Sequence, residues 1–320
     1  MGRYVARRLL QAVPLLLFLS IFMFSLIHLL PGGPEDILIG PGIDEEVRKN
    51  LRSSLGLDDP LPVQYLKWLG NSLRGDLGFS FYTNEPVVKV IRERFPPTLE
   101  LFGLALLLAL VMAVLVGTVS AYRQGKFLDY ALTTLTYFGI SLPIFLLGLL
   151  MQEIFSRRLQ WFPPSGIATL GMLYSPFDGF LDHVLHLAMP MMALAIIFIA
   201  RWSRYMRSSM LEVIKQDYIR TARAKGLATV SLLMHHAWRN AVIPLITVVA
   251  IDFGSVAGGA TITEGVFGWP GMGQLFLRSL DQRDYPVLLA MLMLSAVFVI
   301  IANLIADILY AVMDPRIRYV

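Results

Sequence analysis

The chain has 320 residues, 56% hydrophobic and only 16% charged, where a soluble globular chain carries roughly 25% charged residues. Its net charge of +4, from 27 Lys and Arg against 23 Asp and Glu, sits at the ends of apolar stretches, which points to membrane topology rather than to nucleic acid. Cysteine is absent, which excludes disulfides, zinc thiolate sites and cysteine nucleophiles.

A bilayer core about 30 Å thick needs about 20 apolar helical residues, because an unpaired backbone group in lipid is costly. Leu9 to Leu30, 22 residues free of Asp, Glu, Lys and Arg, is the first predicted span. Arg3, Arg7 and Arg8 precede it as they would a cleaved leader. The apolar stretch, however, exceeds the roughly 7–15 residues of a leader core, and Pro31-Gly32-Gly33-Pro34 follows instead of a small-residue cleavage site. The reading is a retained helix.

Residues 31 to 98 form an extracytoplasmic segment. Within it Asp44 to Leu55 and Pro62 to Leu73 place apolar residues at helical spacing, while Gly75-Asp76-Leu77-Gly78 and Pro96-Pro97 punctuate it. It reads either as short interfacial helices capping the spans or as a docking surface for an external partner. The second span is Leu101 to Tyr122, with its start extended to about 99, and the third is Tyr130 to Gln152, extended to about 153. Ser165 to Asp182, rich in Gly and Pro, is a second external loop. Val184 to Ala200 offers 17 residues before Arg201; Trp202 and Tyr205 carry this fourth span to about 206.

Residues 207 to 240 read as a cytoplasmic helix–Gly–helix elbow. Met210 to Lys225 has Leu211, Ile214, Tyr218 and Ala222 along one face, Gly226 is a stop preceded by Arg223 and Lys225, and Thr229 to Asn240 forms the second arm. The plain alternative is a basic loop obeying the positive-inside rule. Ala241 to Thr263 is the fifth span, with Asp252 at its centre as the one acid in a bilayer middle. Glu264 to Asp284 carries Gly265-Val266-Phe267-Gly268-Trp269-Pro270-Gly271-Met272-Gly273, a tight loop that re-enters the membrane edge. Pro286 to Ala306, extended to about 307, is the sixth span.

Three basic residues precede span one, two follow span two (Arg123, Lys126), eight lie between Arg201 and Asn240, and Arg316 and Arg318 close the chain. With six spans these segments share one side, so the N- and C-termini are predicted to be cytoplasmic. The expected fold is an all-α membrane protein of six transmembrane helices.

The stretch Asp217-Tyr218-Ile219-Arg220-Thr221-Ala222-Arg223-Ala224-Lys225-Gly226-Leu227, followed by His236-Ala237-Trp238-Arg239-Asn240 and Ile243-Pro244, resembles the coupling loop of ABC-type import permeases. More narrowly it is similar to the dipeptide, oligopeptide and nickel branch. Ala222 and Gly226 keep the family's places, while Arg220 and Thr221 stand where Glu and Ala would be, and His236 and Arg239 where Ile and Pro would be. Gly56-Leu57-Asp58, Gln64-Tyr65, Gly75-Asp76-Leu77-Gly78, Pro97-Thr98-Leu99-Glu100-Leu101, Glu264-Gly265-Val266-Phe267 with Trp269-Pro270-Gly271, and Asp314-Pro315-Arg316 agree with that branch along nearly the whole chain.

The resemblance implies a type I importer permease in a prokaryotic inner membrane, the first of two peptide permease subunits. Its partners would be a homologous second permease, two cytoplasmic ABC ATPases, an extracytoplasmic solute-binding protein and membrane lipid. It further implies an ATPase-coupling loop at Asp217, Tyr218, Arg220, Thr221, Ala222, Arg223, Ala224, Lys225, Gly226 and Leu227, and external contacts to the binding protein at Glu264, Phe267, Trp269 and Pro270. The implied cargo is a dipeptide or oligopeptide, with nickel chelates, glutathione or oligosaccharides as alternatives. No catalytic or metal residues are expected. A Gly-x-x-x-x-Gly-Lys-Ser/Thr phosphate loop is missing, since Gly125-Lys126 is followed by Phe127 and Ser120 stands where the first Gly belongs. ATP and magnesium are therefore assigned to partner subunits.

Asp252 has two readings: a packed acid hydrogen-bonded to a neighbouring helix, or a pathway residue near a peptide's amine. His235 and His236 point apart on a helix and do not suggest metal. An ion-coupled carrier would show several intramembrane acids and an internal repeat, and an intramembrane enzyme a motif such as His-Glu-x-x-His; neither pattern is present.

Overall fold

A computed structural model of the chain describes residues 2–29, 45–54, 56–172, 174–228, 231–232, 237–258 and 260–313. Pro31 to Pro34, His235-His236 and Asp314 to Arg316 lie outside them. Among the described residues the regular structure is helical, apart from one isolated antiparallel bridge between Phe79 and Pro86. In chain order the helices are α1 (Gly2–His28), α2 (Glu45–Ser54), α3 (Leu61–Leu73), α4 (Val87–Tyr122), α5 (Phe127–Ser141) and α6 (Ile144–Met151), which a π-helical turn extends over Gln152–Arg158. Then come α7 (Pro176–Ile214), α8 (Asp217–Ala224), α9 (Trp238–Phe253) with a 3₁₀ turn over Gly254–Gly258, α10 (Thr261–Phe267), α11 (Met272–Asp281) and α12 (Tyr285–Met313).

Five stretches are long and apolar enough to cross a membrane: Ala6–His28, Val87–Tyr122, Pro176–Ile214, Trp238–Val256 and Tyr285–Leu309. The expected third span differs. It is two helices, α5 and α6 with its turn, bent by 101°, which only together are long and apolar enough to cross, as one broken span. The cause is local: Pro143 has no N–H to give and disfavours the helical region for the residue before it, and Leu142 is extended at φ −82°, ψ 125°. Alone, the 15 residues of α5 span about 22 Å, short of the bilayer core.

The fourth span differs in the other direction. The shortest apolar stretch in the sequence lies on the longest helix, α7, with 39 residues, about 58 Å of axis. Asp182, Arg201, Arg204 and Arg207 do not end it because each has a partner. Thr169 donates to both oxygens of Asp182, at 2.8 Å from its N and 2.7 Å from its Oγ1. Arg201 pairs with Asp252, Arg204 lies 5.0 Å over the Tyr137 ring, and Arg207 grips Asp129.

Helix α4 likewise begins earlier than expected, and Pro96 and Pro97 sit inside it. The carbonyls they free lie in the part of the helix before the apolar stretch, where water can serve them. Ahead of α4, α3 lies on α1: Tyr65 and Trp68 pack 5.5 and 5.6 Å from Phe24, and the Ser20 and Tyr65 hydroxyls bond at 2.8 Å.

The main core joins α4 and α7. Ala105, Ala109, Ala113, Gly117 and Ala121 recur every fourth residue on α4 and are all buried. That stripe lets the backbones approach closely, as association inside a membrane requires. Leu194, Phe198, Trp202, Met206 and Met210 of α7 fill the space against it, joined by Ala241 and Leu245 of α9.

Candidate coupling elbow and intramembrane polar pairs

The elbow is α8. The expected single helix from Met210 to Lys225 is broken after Ile214: Gln216 is extended at φ −68°, ψ 149°, and Asp217 begins a new helix. The break lets Ile219 turn inward. It is fully buried in the α4–α7 core, with Ala222 packed beside it. The outer face carries Asp217, Tyr218, Arg220, Thr221, Arg223, Ala224, Lys225, Gly226 and Leu227, all exposed.

The turn that closes α8 is built by its sequence. Leu227 N donates to Ala222 O at 3.4 Å and Gly226 N to Arg223 O at 3.0 Å, the paired bonds that cap a helix through a left-handed residue. Gly226 supplies it at φ +80°, and a Cβ there would meet open space. Asn240 Nδ2 donates to Tyr218 Oη at 2.9 Å, tying the elbow to the base of α9. The second arm from Thr229 lies partly outside the described residues, and Trp238 to Asn240 already belong to α9.

Two ion pairs stand above the elbow. Nearest to it, Arg207 of α7 holds both oxygens of Asp129 on α5, Nε to Oδ1 and Nη2 to Oδ2 at 2.9 Å each. Ser120 of α4 donates to the same carboxylate, as does Gly125 N at 3.0 Å. Further along α7, Arg201 Nη2 and Trp202 Nε1 both donate to Asp252 Oδ2, the Trp202 bond at 2.7 Å. Asp252 is thus not a lone acid: its charge is answered by a guanidinium from the neighbouring helix, invisible in the sequence because 51 residues separate them.

The external loop corrects an expectation. Glu264, Phe267 and Trp269 are 0–2% exposed, so none can touch an external protein; Pro270 is partly exposed. Glu264 is the hub of the loop. Thr98 Oγ1 donates to Oε1 at 2.8 Å, and Gly273 N and Gln274 N donate to Oε2 at 2.7 and 3.1 Å. Ala260 N reaches Oε1 at 3.3 Å. Burial pushes the carboxyl above the usual carboxylate range although these donors pull the other way. Trp269 Nε1 donates to Pro97 O at 2.9 Å. A Cβ on Gly271 would collide with Thr98 Oγ1 and the Glu264 carboxylate, which explains that glycine.

Sequence reasoning missed the Asp129–Arg207 pair and the small-residue stripe on α4. The stripe was visible as small residues every four positions from Ala105 to Ala121. Of the Arg207 pair nothing was legible, since Asp129 reads as an ordinary acid of a first helical turn.

Sequence matches now name the class. The family described as binding-protein-dependent transport system inner membrane component matches residues 95–319, and the corresponding N-terminal component matches residues 1–102. The chain belongs to this family of multi-pass inner membrane transport components, whose members are transport subunits rather than enzymes. It is 42% identical over 320 residues to the oligopeptide transport system permease protein of Bacillus subtilis (strain 168), with 100% of both chains covered. It is 44% identical over 321 residues to a putative peptide permease protein of Brucella suis biovar 1, with 99% of each covered. It is 38% identical over 319 residues to the glutathione transport system permease protein of Salmonella paratyphi A, with 100% of each covered. An ion-coupled carrier is set aside by this membership.

Proposed function

We propose that the chain forms one half of the membrane path of an ATP-driven peptide importer. It pairs with a homologous second permease, two cytoplasmic ATPases that handle ATP and magnesium seat on the two elbows, and an external solute-binding protein delivers cargo to the opposite mouth. The termini and the elbow lie on the cytoplasmic side.

The observation that carries this reading is the elbow's construction. Its outer face is polar and exposed, while Ile219 is fully buried among residues of α4, α7 and α9. A push on the outer face therefore moves α7 and α9 together, because packed interiors transmit displacement instead of absorbing it. Closure of the ATPases rocks the two halves of the path about a central site, as in alternating access, and each ligand shifts that equilibrium only by its differential affinity.

Relatives named for oligopeptide, dipeptide and glutathione transport support a peptide cargo, and glutathione is itself a tripeptide. A deletion strain carrying this gene with its partners, offered single di-, tri- and oligopeptides, glutathione, oligosaccharides and limiting nickel, tests the cargo. Restored peptide uptake is expected; restoration by nickel or oligosaccharide alone overturns it. Reporter fusions test topology: residue 90 should face outside and residues 125 and 225 the cytoplasm, and a cytoplasmic signal at residue 90 overturns the orientation.

A further inference from the structure

We propose that Arg201, held in place by Asp252, is the group in the path that binds the carboxylate end of the cargo. The inference rests on the peptide-importer reading and reverses the polarity expected from the sequence, in which Asp252 would meet an amine.

The depth of the pair comes first. At 1.5 Å per residue, Asp252 lies about 21 Å along α9 from Trp238, and Arg201 about 20 Å along α7 from Ile214. The two therefore meet within the membrane-crossing stretches of both helices. The Asp129–Arg207 pair lies six residues, about 9 Å, nearer the elbow.

Exposure then separates the two partners. The Arg201 side chain is 44% exposed and that of Asp252 only 14%. Asp252 has its charge answered by Arg201 and by the indole N–H of Trp202, whose side chain is fully buried. It asks nothing of a substrate. Arg201 presents the open side. A guanidinium facing lipid at this depth is costly, so that side faces a water-filled cavity or protein.

Geometry supplies the chemistry. The guanidinium carries five N–H donors in a rigid fork. Here Nη2 goes to Asp252 while the guanidinium carbon lies 5.3 Å over the Phe198 ring, a second contact that limits its freedom. The remaining donors match a carboxylate, which accepts two parallel bonds from such an edge. Every peptide with a free C-terminus carries that carboxylate whatever its side chains, so one arginine can serve a set of unrelated sequences. The lone Asp252 anchor keeps the arginine ordered before the cargo arrives, which lowers the entropy lost on binding.

The test uses the complete complex in proteoliposomes with its binding protein and ATPases. Uptake of one peptide is measured as the free acid and as the C-terminal amide. Wild type and Arg201→Gln are compared with Arg201→Lys and with the double variant Arg201→Gln/Asp252→Asn. The same binding protein is present throughout, so its own preference cancels in the change of ratio. The acid-to-amide ratio is expected to fall about tenfold in Arg201→Gln, the size of one charge-assisted hydrogen bond, and to be partly restored by Lys. The double variant, which leaves no unpaired charge, keeps assembly and should still lack the preference. An unchanged ratio in the assembled double variant overturns the proposal and leaves the peptide reading standing. If wild type takes up neither form while nickel or oligosaccharide enters, the peptide reading falls and this proposal falls with it.

Discussion

The elbow and the loop from Thr261 to Asp281 have similar raw material: short helices, a glycine-marked turn and one conspicuous charged or aromatic cluster. Their polar groups meet opposite fates. In the loop, Glu264 accepts four hydrogen bonds from its own chain, Trp269 is sealed against Pro97, and the cluster is buried. In the elbow Ile219 is buried with Ala222 packed beside it, and the remaining residues of the helix face outward. A segment that satisfies its own polar groups is an internal clamp. One that leaves them to others is built for a partner, because exposed donors and acceptors cost nothing until a surface covers them. This difference counts against the external contact expected of the loop's buried residues and leaves the elbow as the candidate coupling surface.

The strongest way to break the contrast is to open the clamp. Glu264→Leu leaves Thr98 and three backbone N–H groups without an acceptor in a buried site, at about 1–3 kcal/mol each. The expected result is loss of folded, membrane-extracted protein by size-exclusion profile. Glu264→Gln presents an NH₂ to one pair of donors and should fall between Leu and wild type. Normal yield of the Leu variant would show that the loop clamps nothing.

The elbow should respond in the opposite way. Gly226→Asp forces a side chain into φ +80°, at about 1–2 kcal/mol, but meets open space within the chain. Insertion and yield should persist while transport is abolished, since the added charge stands where a partner surface approaches. Normal stimulation of ATP hydrolysis by loaded binding protein in this variant would sink the coupling assignment.

How far the sequence speaks follows the same division between local and distant. The apolar lengths, the stop at Gly226 and the basic elbow are local, so six crossings, one of them broken, and the turn at Gly226 were legible. The break at Pro143 was also local, yet it lay inside a continuous apolar run whose length masked it. Helix α7 was underestimated because Asp182, Arg201 and Arg207 look like span ends until their partners Thr169, Asp252 and Asp129 are known. Burial of Glu264 and Trp269 depends on Thr98 and Pro97, more than 160 residues away, and that of Phe267 on Met151, Met189 and Ala193. Apolar lengths and turns are written in neighbours; charge partners are not.

The smallest expected effects rank the elbow's own contacts and so sharpen the comparison. Ile219→Ala removes the buried anchor, a change that typically costs about 2–5 kcal/mol in a packed core. Part of that cost is local melting of α8, so transport should fall at least about tenfold while the loop clamp and the yield are largely kept. Tyr218→Phe removes only the hydroxyl that accepts from Asn240 at 2.9 Å. Tyr218 is 45% exposed, so water replaces the lost acceptor and the net loss is about 0.5–1 kcal/mol. If the push travels through Ile219, peptide uptake in Tyr218→Phe stays within about threefold to fivefold of wild type, the most that loss could produce. If instead the Tyr218–Asn240 bond is the route to α9, uptake in Tyr218→Phe falls as far as in Ile219→Ala. Measuring both variants in one proteoliposome preparation decides between a packed route and a hydrogen-bonded one.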